Sequence, residues 1–443
     1  MTATFVAACV GLIWYSVLWA LSLLGCFAAR RRYRVRPRSP LSSASPSSVP
    51  GVSILRPLKG LDANLYENLE ATFTQEYPNF EIILSVADER DPALPVAQQL
   101  MEKYPQAPCR VIVGEEIVGA NPKVNNLVRP CREAKHDILW VIDSNVMVHP
   151  GTLARAVDAL VGKPDAPKRI ALVHHVPFAV LADDQLGSRV EEAFLNTNHA
   201  KMYIALNTIA VDSCVMGKSN LYRRSDLERV NGSLKPLSPD EYPRGPHGLP
   251  AFAKYLAEDN MIASALWHEL GARHDLSCDV ARNVVGGMTL KDYIWRRVRW
   301  IRVRKHMVLA ATLLEPFTES IVLSLIGAAS LRVLLDGVLP MWLSVVLHFT
   351  LWIWVDMDVY ESLAGHPLSP ERRWPFLGAW AFRELLALPI FLFAIFGSEV
   401  SWRGQRYTML RNGEVERAEE THSRGWFRRL RQPKNYEPLP TEV

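Results

Sequence analysis

The sequence predicts an α/β domain with a mostly parallel sheet, flanked by apolar segments long enough to cross a membrane. Short β-rich runs alternate with helical patterns over roughly 51–287, which is the pattern of βαβ units. Phe5–Ala29 is almost uncharged, and apolar runs return after His306. About 20 apolar residues span ~30 Å of hydrocarbon as a helix.

Val52–Leu55, Glu81–Val86, Arg110–Val113 and Ile138–Ile142 read as strands. Asn64–Glu76, Pro92–Tyr104 and Gly151–Val161 read as the helices between and after them, and Phe252–Leu270 resumes a helical pattern. Ligands of such sheets bind beyond the carboxyl ends of the strands. Asp88 and Asp91 follow the second run and Asp143 the fourth, so all three fall on that edge.

The first apolar segment has no small-residue cleavage pattern, which argues against a removable signal peptide. It ends in Arg30-Arg31-Arg32-Tyr33-Arg34-Val35-Arg36-Pro37-Arg38, a flank that faces the cytosol by the positive-inside rule. A Ser/Pro-rich linker follows. The expected layout is a transmembrane helix over 1–29, a linker over 30–50 and a cytosolic catalytic domain over 51–287. An interfacial helix over 288–312, membrane segments over 313–400 and a cytosolic tail over 401–443 complete it. Leu313–Leu335, Val338–Val355 and Phe376–Phe396 are the three C-terminal segments expected. Leu234–Pro250, rich in Pro and Gly, reads as a surface insertion.

Mean hydropathy is +0.01 and the net charge is +4, too small to imply nucleic-acid binding. The basic runs Arg30–Arg38 and Arg296–Lys305 both abut apolar segments, so anionic lipid head groups are their natural partners. Six cysteines show no CxxC spacing, hence neither a zinc site nor a disulfide framework is expected.

Several residues have the right chemistry for a nucleotide-sugar site. Asp143, in Asp143-Ser144-Asn145, can hold a divalent cation bridging a diphosphate, although an Asp at a strand end often only caps the next loop. Asp88 and Asp91 can accept hydrogen bonds from a ribose or uracil edge; Asp91-Pro92 equally suits a helix start. Lys123 can pair with phosphate or carboxylate, or lie solvated on a helix. Asp259, in Glu258-Asp259-Asn260, can act as a general base or sit on an acidic helix face. His199 is a lone histidine, more ordinarily packed or solvated. Arg296 and Arg299, three apart, share a helical face beside Trp300 and suit a leaving diphosphate. An interfacial helix with Tyr293, Trp295, Trp300 and Met307 toward lipid is compatible with that reading.

Taken together, Asp91, Asp143, Glu258-Asp259 and Arg296-xx-Arg299-Trp300 resemble the spaced-Asp plus (Q/R)xxRW signature of membrane-bound, inverting GT-A glycosyltransferases. Within them the chain is similar to the ceramide glucosyltransferase family. Ser53-Ile54-Leu55-Arg56-Pro57-Leu58-Lys59-Gly60, Asp91-Pro92-Ala93, Asn121-Pro122-Lys123-Val124-Asn125-Asn126-Leu127, the His199 segment and Ala257-Glu258-Asp259 carry the likeness, over roughly Ser53 to Arg304.

The resemblance implies a GT-A fold and transfer of glucose from UDP-glucose to the primary hydroxyl of ceramide, with inversion. It implies Mg²⁺ or Mn²⁺ at Asp143, Asp259 as general base and His199 near the active site. It puts Asp91 at the nucleotide, and Arg296, Arg299 and Trp300 at the diphosphate and lipid side. A Golgi membrane location also comes from the resemblance alone. One departure is Asn145, which stands where many GT-A enzymes have the second Asp of a DxD. A dolichol- or polysaccharide-directed transferase and a non-catalytic membrane adaptor are the alternative readings.

Overall fold

The first strand of the central sheet, β1 (Val52–Leu58), is buried along its whole length. That is the signature of a strand covered on both faces. β1 pairs in parallel with β2 (Phe80–Val86) on one side and β4 (Ile138–Ile142) on the other. β3 (Cys109–Val113) extends the parallel half beyond β2. These facts come from a computed structural model that describes residues 3–162, 168–238, 243, 245–402 and 404–418. β1 outlasts the strand expected from sequence because its pairing with β2 runs on to Leu58↔Val86. Pairing with β4 stops at Leu55↔Val141, so Pro57 leaves no donor missing on that side.

The other half of the sheet adds two reversed strands to a sheet whose other six strands run one way. β5 (Val146–Met147), β6 (Ile170–Leu181), β7 (Ser219–Arg223) and β8 (Arg273–Val285) complete the order β3-β2-β1-β4-β7-β6-β8-β5. β7 runs antiparallel to both β4 and β6, β6 and β8 are parallel, and β5 is antiparallel to β8. The sequence hides β6 and β8 because they bury polar residues, among them His174, His175, Asp279 and Asn283, that break any apolar alternation.

Helices Leu65–Phe73, Ala93–Lys103 and Thr152–Val161 lie close to their expected places. A further helix, Pro122–Glu133, is capped by Asn121, whose Oδ1 accepts the N–H groups of Lys123 and Val124. Phe252–Leu270 resolves into a turn, Leu249–Phe252, and a helix, Glu258–His268. The tail opens with the antiparallel pair Gln405–Met409 and Val415–Arg417. Residues 239–242 and 244 of the expected insertion, and 403 and 419–443 of the tail, lie outside the described residues.

The chain forms two compact units. The sheet belongs to one, made of Arg36–Asp183, Ala210–Gly287 and the described residues after Ser401. The other joins Met1–Val35, Asp184–Ile209 and Met288–Val400. Thus Asp184–Ile209, read from sequence as part of a single 51–287 block, groups with the apolar helices.

In this helical unit Ala3–Tyr33, Met341–Ala364 and Pro370–Ile395 are long and apolar enough to cross a membrane, with mean hydropathies of 2.0, 1.3 and 1.6 over an 18-residue stretch of each. The expected segment Leu313–Leu335 is not one straight helix. Leu309–Thr318 and Ser320–Leu334 meet at a 67° bend, giving four candidate spans if the bent pair counts as one. Pro316 and the extended Glu319 (ψ 139°) interrupt the helical hydrogen bonds there. The chain is a membrane protein.

Two sets of buried charges inside the helical unit are paired. Arg383 lies 2.6 Å from Glu384 and 2.9 Å from Glu319. Lys201 lies 2.7 Å from Asp356 with both side chains fully buried, and the Trp380 indole donates to the other Asp356 oxygen at 2.9 Å. The Lys201 ammonium also stands 3.7 Å from the centre of the Trp352 ring.

Candidate active site

Asp143 is the first residue beyond β4, at the carboxyl edge of the sheet. Its N–H donates to the Lys218 carbonyl at 3.1 Å, which continues the antiparallel pairing with β7 past Ile142↔Ser219. Beneath it runs the guanidinium of Arg56, fully buried in β1. Arg56 donates to the carbonyls of Ser144, Val146 and Asn68, and so braces the turn that carries Asp143. Burial pulls the Arg56 pKa down to about 9, against the pull of Asp143 and Asp62.

Lys123 bridges the edge. Its ammonium lies 2.9 Å from Asp143 and 3.0 Å from Glu258, and donates to the Gly217 carbonyl at 3.3 Å. Pro122 at the helix start and the Asn121 cap point the first turn at these carboxylates. Asn121 also donates to the second Glu258 oxygen at 2.9 Å, tying this helix to the start of Glu258–His268.

These charges set the protonation states. Burial alone would raise the Asp143 pKa, but Lys123 and then Lys218 hold it well below the usual carboxylate range. Burial would lower that of Lys123, yet Asp143, Glu258 and Asp259 raise it well above the ordinary lysine value. Asp259 goes the other way: burial first, and then the neighbouring Glu258 charge, push it up to about 7.

A small cavity opens beside this cluster, lined by Lys123, Glu258, Asp259, Gly217, Val141 and Tyr222 among others. Gly217 matters sterically. A β-carbon there would collide with Asp259 Oδ2, so only glycine leaves the carboxylate its place.

Asp88 and Asp91 lie after β2. Asp91 accepts the Gly60 N–H at 2.9 Å and the Ala93 N–H at 2.9 Å, linking the loops beyond β1 and β2 while starting the next helix. Asp88 is exposed and paired with Arg90, whose side-chain and then backbone hydrogen bonds lower its pKa to about 2.

The structure thus brings Lys123, Asp143 and Asp259 together. His199, Arg296, Arg299 and Trp300 belong to the helical unit. There the helix Leu290–Met307 starts with a capping box, Thr289 with Asp292. Arg296 pairs with the buried Glu191 at 2.8 Å, and the Arg299 guanidinium lies 5.9 Å from the Trp300 ring centre. Tyr293, which the sequence allowed to face lipid, is buried inside the unit because this helix packs against Leu186–Phe194 and Pro370–Ile395.

His199 closes a π-helical turn, Leu195–His199, and stacks on Tyr203 with ring centres 5.6 Å apart. Its Nδ1 is buried with no hydrogen-bond partner among the described residues. Burial and then the charges of Arg297, Arg304 and Arg383 take its pKa down to about 3, so the ring is neutral at physiological pH.

Sequence reasoning missed Arg56, Gly217 and Lys218 as site residues. Arg56 stands in a quoted motif, but nothing there says that it runs under the Asp143 turn. Met216-Gly217-Lys218-Ser219 carries no local signal at all.

The donor set suits a hard divalent ion. Asp143 Oδ2 and Asn145 Oδ1 already converge on one positive charge, the Lys218 ammonium, at 3.1 and 3.0 Å. Among the described residues no group of three or more His, Cys, Asp or Glu forms a metal cage. An ion here would take its other ligands from phosphate and water, as Mg²⁺ commonly does.

Residues 17–415 match Glycosyl transferase family 21. A ceramide glucosyltransferase of Komagataella phaffii is 37% identical over 90% of this chain and 89% of its own length. One from Candida albicans is 32% identical over 91% and 96%, and ceramide glucosyltransferase 1 of Caenorhabditis elegans is 28% identical over 98% and 83%. Among solved structures, the mannosyltransferase PcManGT of Pyrobaculum calidifontis is 18% identical, covering 86% of this chain and 99% of its own, with a TM-score of 0.43. With a family match across most of its length and relatives above 30% identity, the chain belongs to glycosyl transferase family 21.

Proposed function

We propose that this hexosyltransferase moves glucose from UDP-glucose to the primary hydroxyl of ceramide, with inversion at the anomeric carbon. The acceptor class is supported by relatives that bear the name ceramide glucosyltransferase over most of both chains. The observation that carries the chemistry is Asp259: a carboxylate raised to about 7 beside the Lys123–Asp143 pair, on the ligand edge of the sheet. A base poised near neutral pH takes a proton efficiently and still ionises.

In this reading Asp259 removes the proton of the acceptor hydroxyl as its oxygen attacks the anomeric carbon. The bond from that carbon to the UDP oxygen breaks on the opposite face, and UDP leaves with the electron pair. Lys123 holds positive charge beside the departing diphosphate. Arg296 and Arg299 are read, from their motif, as phosphate-binding arginines. Asp143 and Asn145 would hold Mg²⁺ or Mn²⁺, which when bound neutralises charge on the diphosphate. Asp88 and Asp91 serve the nucleoside end, Trp300 the lipid side, and His199 acts as a neutral group near the acceptor.

The sheet unit is assigned to the cytosolic face of an endomembrane, in keeping with the Arg30–Arg38 flank, and the Golgi is the expected membrane. The test is acceptor choice. Full-length protein in detergent is given labelled UDP-glucose with ceramide or with dolichyl phosphate, and the product is identified by mass and linkage. β-Linked glucosylceramide is expected. Glucose on dolichyl phosphate alone, or an α-linked product, overturns the reading.

A further inference from the structure

One cation at the sheet edge has no part in the chemistry above. Lys218 immediately precedes β7, and the antiparallel register sets it directly across from Asp143. Its ammonium lies 3.1 Å from Asp143 Oδ2 and 3.0 Å from Asn145 Oδ1, with the side chain 13% exposed. These are the two oxygens to which a divalent ion would bind. An ion bound at ~2.1 Å from such oxygens would overlap the ammonium and repel it, so the two cannot share the place. The displaced ammonium stays tethered to β7, and the anion that arrives at this edge is the diphosphate of the donor. A lysine binds phosphate well as a point charge on a flexible stem.

We infer that Lys218 is a diphosphate-binding residue that occupies the Asp143–Asn145 cation seat until nucleotide and metal arrive, and then turns its ammonium to the phosphate oxygens. The inference rests on the UDP-sugar donor proposed above. It has a consequence that a purely structural lysine lacks: loss of the ammonium acts in opposite directions on two ligands. The vacated oxygens bind a divalent ion more readily, while UDP loses a contact.

The experiment is calorimetric titration of the full-length chain in detergent, with Mn²⁺ alone, with UDP in EDTA, and with UDP in saturating Mn²⁺. Compared with wild type, Lys218→Gln is expected to bind Mn²⁺ alone about tenfold more tightly and UDP in saturating Mn²⁺ about tenfold more weakly, with UDP in EDTA changed by less than about threefold. Lys218→Arg keeps the positive charge and should hold UDP within about threefold of wild type. If Lys218→Gln does not fold, Lys218→Met against Lys218→Arg carries the same comparison. Wild type that binds no UDP even with Mn²⁺ overturns the donor reading itself. Wild type that binds UDP, beside a Lys218→Gln whose Mn²⁺ affinity is unchanged or lower, overturns the role of Lys218 alone.

Discussion

The Asp259 carboxylate rests against the α-carbon of Gly217, with no room for a side chain between them. A methyl group there would meet not only Asp259 Oδ2 but also its Cγ at 2.6 Å and Cβ at 2.7 Å. The whole side chain would have to move, not just its tip. Gly217→Ala is therefore expected to cut kcat/KM about tenfold or more, since a shift of about 1 Å at a reacting group costs that much. UDP affinity, measured separately, should change less than threefold. Equal losses in both would refute this steric account.

The raised pKa of Asp259 gives a pH dependence with a definite sign. As general base it works ionised, so kcat/KM should climb with pH and level off above about 7. Asp259→Asn should retain UDP-glucose binding but lose about 10²- to 10⁴-fold in turnover. Near-normal turnover by the purified variant would remove Asp259 from that role.

Stability carries the same signature in reverse. An acid whose folded pKa lies above its unfolded value of 3.8 favours the fold fully at low pH. That contribution fades as pH rises from about 4 through about 7. Asp259→Asn should flatten this part of the melting-temperature profile in EDTA. An unaltered slope would mean that the carboxylate is not held protonated by burial and Glu258.

Arg56 is a positioning residue. Its fork spans three carbonyls, and the single ammonium of a lysine cannot reproduce that geometry. Arg56→Lys is expected to leave the protein folded yet weaken UDP binding about tenfold, as the Asp143 turn loosens. Full UDP affinity in a folded Arg56→Lys variant would show that the turn holds without the fork.

The Lys201–Asp356 pair is wholly buried, so breaking it strands a charge. Lys201→Met alone or Asp356→Leu alone should cost about 3–5 kcal/mol in detergent unfolding, whereas the double variant should regain most of that loss. Additive losses in the double variant would argue that the two residues act separately.

Much of the sheet unit is legible in the residues themselves. The alternation from Val52 to Val161 marks its first half, because short runs rich in apolar and β-branched residues there alternate with helical patterns. Asp143 is legible as a strand-end carboxylate, and Lys123 and Asp259 through their motifs. Lys218 is not: it reaches Asn145 across 73 residues of sequence, through a strand whose pairing partner no local pattern names. The bend at Pro316 is half legible. Proline marks a break, but only packing sets the angle.

By itself the sequence determined which segments prefer lipid, where the βα units begin, and which acids stand at strand ends. Those are matters of local composition and periodicity, written within a few residues of each other. The tertiary structure alone decided that Lys123 joins Asp143 to Glu258, that Lys218 faces Asp143, and that Gly217 makes room for Asp259. It also decided the protonation of Asp259, because a pKa depends on burial and on charges that arrive from distant parts of the chain.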